Sequence, residues 1–321
     1  MSEIAFVFPG QGSQAVGMGR ALAATSPAAA AVFADADAAL GEGISALAWA
    51  GPEDQLNRTE NAQPALLATS IAYLAAARER ASAQGMRLPE PRFFAGHSMG
   101  QYSAMVAAGS LALGDGVRLV RERGVQMQAS GAGRDGAMAA VLGLDDAAMP
   151  ELVKGVSAHG VFAVANRNSP GQVVVSGERA AIDAAAELAK ALGAKRAIVL
   201  PVSVAAHSPL MAEAATAMRE ILAKVDFSDP SAPLLANADA RAITTAAGAR
   251  AELVEHLTAG VDWVGAIQAM TAAGVDTFVE VGPGKVLTNL IKRIAPEATA
   301  IALEDALAAE PLELPILIPV S

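Results

Sequence analysis

The chain of 321 residues contains no cysteine, which excludes disulfide bonds, thiolate metal sites and a cysteine nucleophile. It is also poor in charge. Charged residues make up only 17% of the sequence while hydrophobic residues make up 53%, so we expect a folded chain with a large core.

Basic residues are outnumbered, and the formal net charge is −10. This balance argues against nucleic acid as a partner, because phosphates are bound by clustered lysine and arginine. The first residues place no basic segment ahead of an apolar run, as a secretory signal would. No apolar run reaches the roughly 20 residues that span a bilayer. We therefore expect a cytoplasmic protein that does not enter a membrane.

Short apolar segments alternate with alanine-rich helical sequence through most of the chain. Residues 4–8, 92–95 and 277–281 are predicted strands, each followed by a turn and a helix. This alternation predicts an α/β fold, in which helices cover both faces of a parallel sheet. The last dozen residues, rich in proline and leucine, are predicted to form a loose tail.

The middle of the chain follows a different order, βαββαβ, which is typical of a ferredoxin-like unit. The predicted elements are a strand (137–144), a helix (146–158), two strands (161–166 and 172–176), a helix (178–192) and a strand (196–202). The glycine-rich residues 131–136 fit an entry hinge, and Pro201 lies near the exit. We predict a ferredoxin-like subdomain over 134–202, inserted into a larger domain made of 1–133 and 203–321.

Residues 96–100, Gly-His-Ser-Met-Gly, match the G-x-S-x-G pattern of a nucleophile elbow. The serine stands on a tight strand-to-helix turn, where side chains two residues before and after it would collide. The start of the helix also favours the negative charge that develops during attack. We therefore predict that Ser98 is a nucleophile. The alternative is that the two glycines only permit close packing of a strand on a helix.

A serine hydroxyl needs a base to take its proton, and the chain offers four histidines. His97 lies next to the serine, so its side chain is expected to point elsewhere. His159 ends a predicted helix of the subdomain, and His256 is expected on a helix surface. His207 follows an apolar strand, where α/β sites assemble, and is the predicted base. No acidic residue is placed to orient it, so a backbone carbonyl is an alternative.

A glycine-rich loop, residues 8–14, follows the first predicted strand. In an elbow enzyme the oxyanion is bound by the backbone N–H after the serine, here Met99, and by a second N–H from a neighbouring loop, here Gln11. The rival is a dinucleotide loop, since residues 10–15 fit G-x-G-x-x-A. That pattern needs an acidic residue ending a second strand, and Asp35 lies in helical sequence instead.

Six segments, taken in order, resemble the malonyl-CoA:acyl carrier protein transacylases of bacterial fatty acid synthesis, and they cover most of the chain from Phe6 to about Leu303. They are FPGQGSQ (8–14), NAQPA (61–65), GHSMG (96–100), NRNSPGQ (166–172), PVS leading to His207 (201–207) and EVGPGK (280–285).

This resemblance implies an α/β-hydrolase-like large domain with a ferredoxin-like insert. It implies malonyl-CoA as the substrate, an acyl carrier protein as the partner, and neither a cofactor nor a metal. Ser98 would carry the acyl group and His207 would be the base. Gln11 and Met99 would bind the oxyanion, and Arg123 would bind the free carboxylate of malonate.

An arginine suits that carboxylate because its guanidinium pairs through two N–H groups at once, which a lysine cannot do. From the residues alone, the alternative for Arg123 is a solvated helix face shared with Arg118 and Arg121. Gln63 and Asn166 match family positions that line the site.

His256 stands where the family usually has a glutamine, whose backbone carbonyl contacts the catalytic histidine. That orientation is expected to survive, and His256 is also kept as a candidate substrate-binding residue. The small Ala206 leaves tolerance for a branched acyl group open. Two other functions remain as alternatives. One is a serine hydrolase or thioesterase, and the other is a non-catalytic protein that binds an acyl carrier protein.

Overall fold

The computed structural model describes residues 2–131, 135–200, 202 and 204–320. The strands are β1 (Ile4–Phe8), β2 (Met86–Arg87), β3 (Phe93–Gly96), β4 (Gly136–Leu142), β5 (Phe162–Ser169), β6 (Gln172–Glu178), β7 (Arg196–Val199), β8 (Leu234–Leu235), β9 (Ala242–Ile243), β10 (Val261–Asp262), β11 (Thr277–Glu280), β12 (Thr299–Ala302) and β13 (Ile318–Pro319).

The helices are α1 (Arg20–Thr25), α2 (Pro27–Leu40), α3 (Ile44–Ala50), α4 (Glu53–Leu56), α5 (Thr59–Ala83), α6 (Gly100–Ala107), α7 (Leu113–Gly131), α8 (Met149–Val156), α9 (Arg179–Ala191), α10 (Ala212–Leu222), α11 (Ala246–Thr258), α12 (Trp263–Ala272), α13 (Val286–Ile294) and α14 (Leu303–Ala308). Short 3₁₀ turns, Asp146–Ala148 and Pro209–Met211, precede α8 and α10. None of these helices combines the length and apolar character needed to cross a membrane.

The larger sheet has the strand order β12-β11-β1-β3-β8-β9, and all neighbours run parallel except the edge pair β8–β9. Strand β1 is buried along its whole length because both faces of the sheet are covered. Phe6 and Phe8 face the core beneath α2, α5, α6 and α7, while Ala5 and Val7 face α12 and α13. The predicted α/β fold is confirmed.

The smaller sheet has the order β10-β5-β6-β4-β7. Its last four strands are antiparallel and stand in the ferredoxin-like order, with α8 and α9 packed against one face. Strand β10 comes from outside the predicted insert and pairs parallel to β5. The predicted order βαββαβ is therefore confirmed, and one strand of the larger part extends its sheet.

The boundaries of the insert were predicted at 133/134 and 202/203. Residues 132–134, which are half of the predicted hinge, lie outside the described part of the chain, as do Pro201 and Ser203. The division into 134–202 and the two flanking parts, 1–133 and 203–321, therefore stays a prediction.

The prediction of a loose C-terminal tail was wrong. Leu312, Leu314 and Ile316 are buried against the larger core, and β13 pairs antiparallel with β2. The physical reason is the spacing of the leucines and the isoleucine. Every second residue is apolar, so an extended segment places all three side chains on one side.

Candidate active site

Ser98 lies at the sharp turn between β3 and α6, with a backbone φ of 54°. This left-handed conformation costs a residue with a side chain about 1–3 kcal/mol. A Cβ added at Gly96 would lie 2.0 Å from the carbonyl carbon of Gly100, and one added at Gly100 would lie 2.2 Å from the carbonyl oxygen of Phe8. Both positions therefore require glycine, and this is why the pattern surrounds the serine.

The hydroxyl of Ser98 meets the imidazole of His207, with 2.8 Å between Oγ and Nε2. His207 is buried in the loop before α10, and its φ of 58° is also left-handed. Its Nδ1 lies 2.7 Å from the carbonyl oxygen of His256 and 3.1 Å from that of Ala259. Because a carbonyl only accepts, Nδ1 carries the proton and Nε2 is left to accept from the serine.

No carboxylate hydrogen-bonds the His207 imidazole within the described part of the chain. Backbone carbonyls orient the ring in its place, as the alternative drawn from the sequence allowed. Burial, together with the positive charge of Arg123, lowers the pKa of His207 to about 3. The imidazole is therefore neutral at physiological pH, so its Nε2 is free to accept a hydrogen bond from the serine.

Arg123 projects from α7 and is almost completely buried beside the serine. One guanidinium nitrogen donates to Gln63 Oε1 at 2.8 Å, and the other lies 3.1 Å from Ser98 Oγ. Its Nε has no partner, and no described carboxylate forms an ion pair with it. Burial also lowers its pKa. An unpaired buried cation is unfavourable, so the site is electrostatically suited to an anion.

The alternative of a solvated arginine face is wrong for Arg123. It holds for Arg118, which is exposed and forms an ion pair with Asp115 at 2.7 Å. Arg121 pairs with Glu42 nearer the surface. Arg123 follows Arg118 by five positions and Arg121 by two, so it lies on a different face of α7 and points inward.

Two backbone N–H groups near the serine have no acceptor in the described structure, those of Gln11 and Met99. The N–H of Ser98 itself is occupied, since it donates to Asn237 Oδ1 at 2.8 Å. The Gln11 side chain accepts from the hydroxyl of Thr59. The two amides predicted for the oxyanion are thus unpaired in the structure.

The dinucleotide alternative does not fit the structure. Asp35 lies on the exposed side of α2, and no strand leads to it. The loop after β1 instead packs against the elbow, where a Cβ at Gly10 would lie 2.6 Å from the carbonyl oxygen of His97. Its glycine serves close packing against the serine turn.

The structure brings Gln63 into the site through its bond to Arg123, and it places Asn166 in the middle of β5, opposite Val261 of β10. No hydrogen bond joins the Asn166 side chain to a described residue. His97 points toward the smaller sheet, with Nε2 2.8 Å from Asn168 Oδ1, so it turns away from the serine as expected.

The prediction that His256 lies on a helix surface was wrong, because the residue is completely buried in α11. Its ring packs 6.0 Å from that of Tyr102 and 6.2 Å from that of His207. Its Nδ1 lies 2.9 Å from the carbonyl oxygen of Glu252, and its Nε2 has no partner. The sequence did contain a signal for this burial, because the apolar Leu253 lies three positions before His256 and therefore on the same helix face. His159 is exposed beyond the end of α8, as expected.

Two residues in contact with this site were missed by sequence reasoning. Asn237 hydrogen-bonds the elbow from the loop after β8, and Glu252 of α11 binds the backbone of Asn237 at 2.7 Å. An asparagine in a loop and a glutamate in a helix match no motif, so neither carries a signal that sets it apart from a surface residue.

Comparisons with known proteins show which proteins this chain is similar to. A family model described as "Acyl transferase domain" matches residues 5–308. The malonyl CoA-acyl carrier protein transacylase of Escherichia coli (strain K12) is 45% identical over 305 residues, which is 95% of this chain and 97% of that protein. The crystal structure of an acyl carrier protein S-malonyltransferase from Vibrio cholerae is 41% identical, with a TM-score of 0.88 over 94% of this chain and 96% of that one. A chain in the structure of a type II PKS acyl-carrier protein in complex with its malonyl-transacylase is 40% identical to this one. Its TM-score is 0.88 over 94% of this chain and 96% of that chain.

Proposed function

The chain belongs to the acyl transferase domain family, and on that premise we propose that it moves a malonyl group from malonyl-CoA to the phosphopantetheine thiol of an acyl carrier protein. A malonyl ester of Ser98 is the intermediate. The observation that carries the proposal is the buried Arg123, whose guanidinium lies 3.1 Å from the Ser98 hydroxyl without a carboxylate partner in the described structure.

In the first half of the reaction, the malonyl carboxylate pairs with Arg123. His207 Nε2 takes the hydroxyl proton while Ser98 Oγ forms a bond to the thioester carbonyl carbon. The negative oxygen of the tetrahedral intermediate accepts from the unpaired N–H groups of Gln11 and Met99. The carbon–sulfur bond then breaks, and the imidazolium returns its proton to the sulfur of the departing CoA.

In the second half, the carrier protein's thiol gives its proton to His207 and attacks the ester carbonyl of acylated Ser98. The carbon–oxygen bond breaks and the serine recovers its proton from the imidazolium. The two substrates therefore react in turn, as in ping-pong kinetics. The transfer itself needs no cofactor, because the malonyl group arrives as a thioester of CoA and leaves on the carrier protein's own thiol. We also propose that the reaction takes place in the cytoplasm, as the sequence predicts.

The substrate's charge assists the base. The positive charge of Arg123 is one cause of the low pKa of His207. A malonyl carboxylate paired with Arg123 offsets that charge, so the imidazole becomes more basic when a malonyl group is bound. An acetyl group has no carboxylate and leaves the base weak. Selection of malonyl therefore acts on proton transfer as well as on binding.

The remaining residues support these steps. Gln63 fixes one side of the Arg123 guanidinium and leaves the other toward the serine. The backbone carbonyls of His256 and Ala259 hold the His207 ring and stabilise its protonated form. We assign Asn166 to the wall of the acyl site and His256 to its carbonyl contact.

Intact-mass measurement after mixing with malonyl-CoA tests the proposal. Wild-type protein should gain one malonyl group, and Ser98→Ala should gain none. Ser82→Ala, which removes an exposed serine of α5, is the matched control and should be acylated like wild type. An acyl carrier protein with its phosphopantetheine should then take up the malonyl group.

Three outcomes would contradict the proposal. Acylation of Ser98→Ala would place the ester on another residue. Release of free malonate faster than transfer would identify a hydrolase. Absence of any adduct on wild type, together with binding of the carrier protein, would identify a non-catalytic binding protein.

A further inference from the structure

Asn237 hydrogen-bonds both sides of the nucleophile elbow. Its Oδ1 accepts from the backbone N–H of Ser98 at 2.8 Å, and its Nδ2 donates to the carbonyl oxygen of Gly96 at 3.0 Å. The side chain is buried and lies in the loop after β8. A single amide thus bridges the chain across His97, the residue between the strand and the serine.

The sheet explains why an amide fits here. Strands β3 and β8 run parallel, with Phe94 opposite Leu234 and Ala95 opposite Leu235. The register of β3 with β8 ends at that pair, and residues 236–241 form the turn to β9, in which the N–H of Ala236 donates to the carbonyl oxygen of Arg241. The last peptide groups of β3 lose their partner strand at this point. A side-chain amide offers one donor and one acceptor, as a peptide group does.

Asn237 is itself held from two directions. Its backbone N–H donates to Glu252 Oε1 at 2.7 Å, and its carbonyl accepts from the N–H of Asp262 at 2.7 Å. Glu252 also accepts from His256 through its backbone carbonyl, at 2.9 Å. The segment that fixes Asn237 is therefore the same segment whose carbonyls orient the catalytic imidazole.

We infer that Asn237 is a positioning residue, which holds Ser98 in its left-handed conformation and keeps Oγ in reach of His207 Nε2. It also occupies the Ser98 N–H, so the oxyanion is left to the amides of Gln11 and Met99. The inference rests on the proposed function only through the role of Ser98 as the nucleophile.

A fluorophosphonate probe tests this directly, because it reads the reactivity of the serine without malonyl-CoA. Oγ forms a bond to phosphorus, fluoride leaves, and His207 takes the hydroxyl proton. Asn237→Ala should slow this labelling, and kcat for malonyl transfer, by about 100-fold, since a small displacement of a reacting group has that effect. The Kd of malonyl-CoA, measured with Ser98→Ala and with the Ser98→Ala/Asn237→Ala double variant, should stay the same.

Two further variants complete the test. Asn237→Asp keeps the shape and the acceptor for the Ser98 N–H but loses the donor to Gly96, so its labelling rate should fall between wild type and Asn237→Ala. Asp239→Asn changes an exposed residue of the same loop and should label like wild type.

Labelling of folded Asn237→Ala at the wild-type rate would overturn the inference. If that variant does not fold, a wild-type rate in Asn237→Asp would overturn it instead. A loss of malonyl-CoA binding as large as the loss of rate would mean general collapse of the site and would also overturn it. Wild-type protein that reacts with the probe but transfers no malonyl group would overturn the proposed function and leave the inference standing.

Discussion

Replacing Arg123 with alanine should remove the preference for malonyl over acetyl groups. The guanidinium is buried, holds Gln63 with one nitrogen, and has no ion-pair partner in the described structure. A malonyl carboxylate would fill that place with charge-assisted hydrogen bonds, each contributing about 1.5–3 kcal/mol. An acetyl group offers nothing to pair with, so it gains nothing from the arginine.

The size of the effect follows from the burial of the pair. Truncating one partner of a buried, hydrogen-bonded charge pair costs about 2–5 kcal/mol. At about 1.36 kcal/mol per factor of ten, kcat/KM for malonyl-CoA should fall about 30-fold to several thousand-fold. For acetyl-CoA the rate should hold or rise, because loss of the Arg123 charge raises the pKa of His207.

The assay compares kcat/KM for the two thioesters in wild type, Arg123→Ala and Arg123→Lys. Lysine keeps the charge but lacks the planar fork, so it should restore only part of the preference. Arg118→Ala is the matched control, because that arginine lies on the same helix, is exposed and pairs with Asp115. An unchanged malonyl-to-acetyl ratio in Arg123→Ala would refute the assignment of the carboxylate to this residue.

Three further predictions concern the base, its support and the tail. Since the folded-state pKa of His207 is about 3 against an ordinary 6.5, the unfolded chain binds the proton first. The contribution of this residue to the free energy of unfolding should therefore decrease as pH falls through that interval, as the difference between wild type and His207→Gln in denaturant titrations should show. His256→Gln should keep most of kcat, because the contact with His207 is a backbone carbonyl, whereas His207→Ala should lose about 10²- to 10⁴-fold in steady-state assays. Leu314→Ala should lower the free energy of unfolding by about 2–5 kcal/mol, while the exposed Val320→Ala changes it by less than about 0.5, as measured by denaturant titration.

The elbow could be predicted from the sequence because its constraint is local. The glycines two residues either side of Ser98 are required by contacts within the turn and with β1, so the pattern carries the geometry. The alternation of strands and helices likewise predicts the parallel sheet, whose inner strands β1, β3 and β11 are buried almost throughout. Even His207 could be selected, because few histidines compete for the role.

What could not be predicted depends on contacts between distant segments. The hydrogen bonds of Asn237 form only because β8 ends beside β3 and the chain then turns. No local sequence pattern indicates that these two segments are neighbours. The burial of His256 depends on where α11 packs. The prediction of a loose tail was wrong for a different reason. The prolines of this segment are typical of a loop, but its alternating apolar residues are enough to pack it on the core.

Gly260 separates the carbonyl of Ala259, which orients the His207 ring, from strand β10, which pairs with β5 of the smaller sheet. The chain passes so close to β5 there that a Cβ at Gly260 would lie 2.6 Å from the carbonyl oxygen of Val164. A shift of the smaller sheet against the larger one would therefore either break the pairing of β10 with β5 or move the carbonyl that contacts the imidazole. A methyl group added at position 260 would displace the backbone next to Ala259, whose carbonyl contacts the His207 ring. The alignment of Ser98 and His207 therefore depends partly on how closely the chain packs against β5.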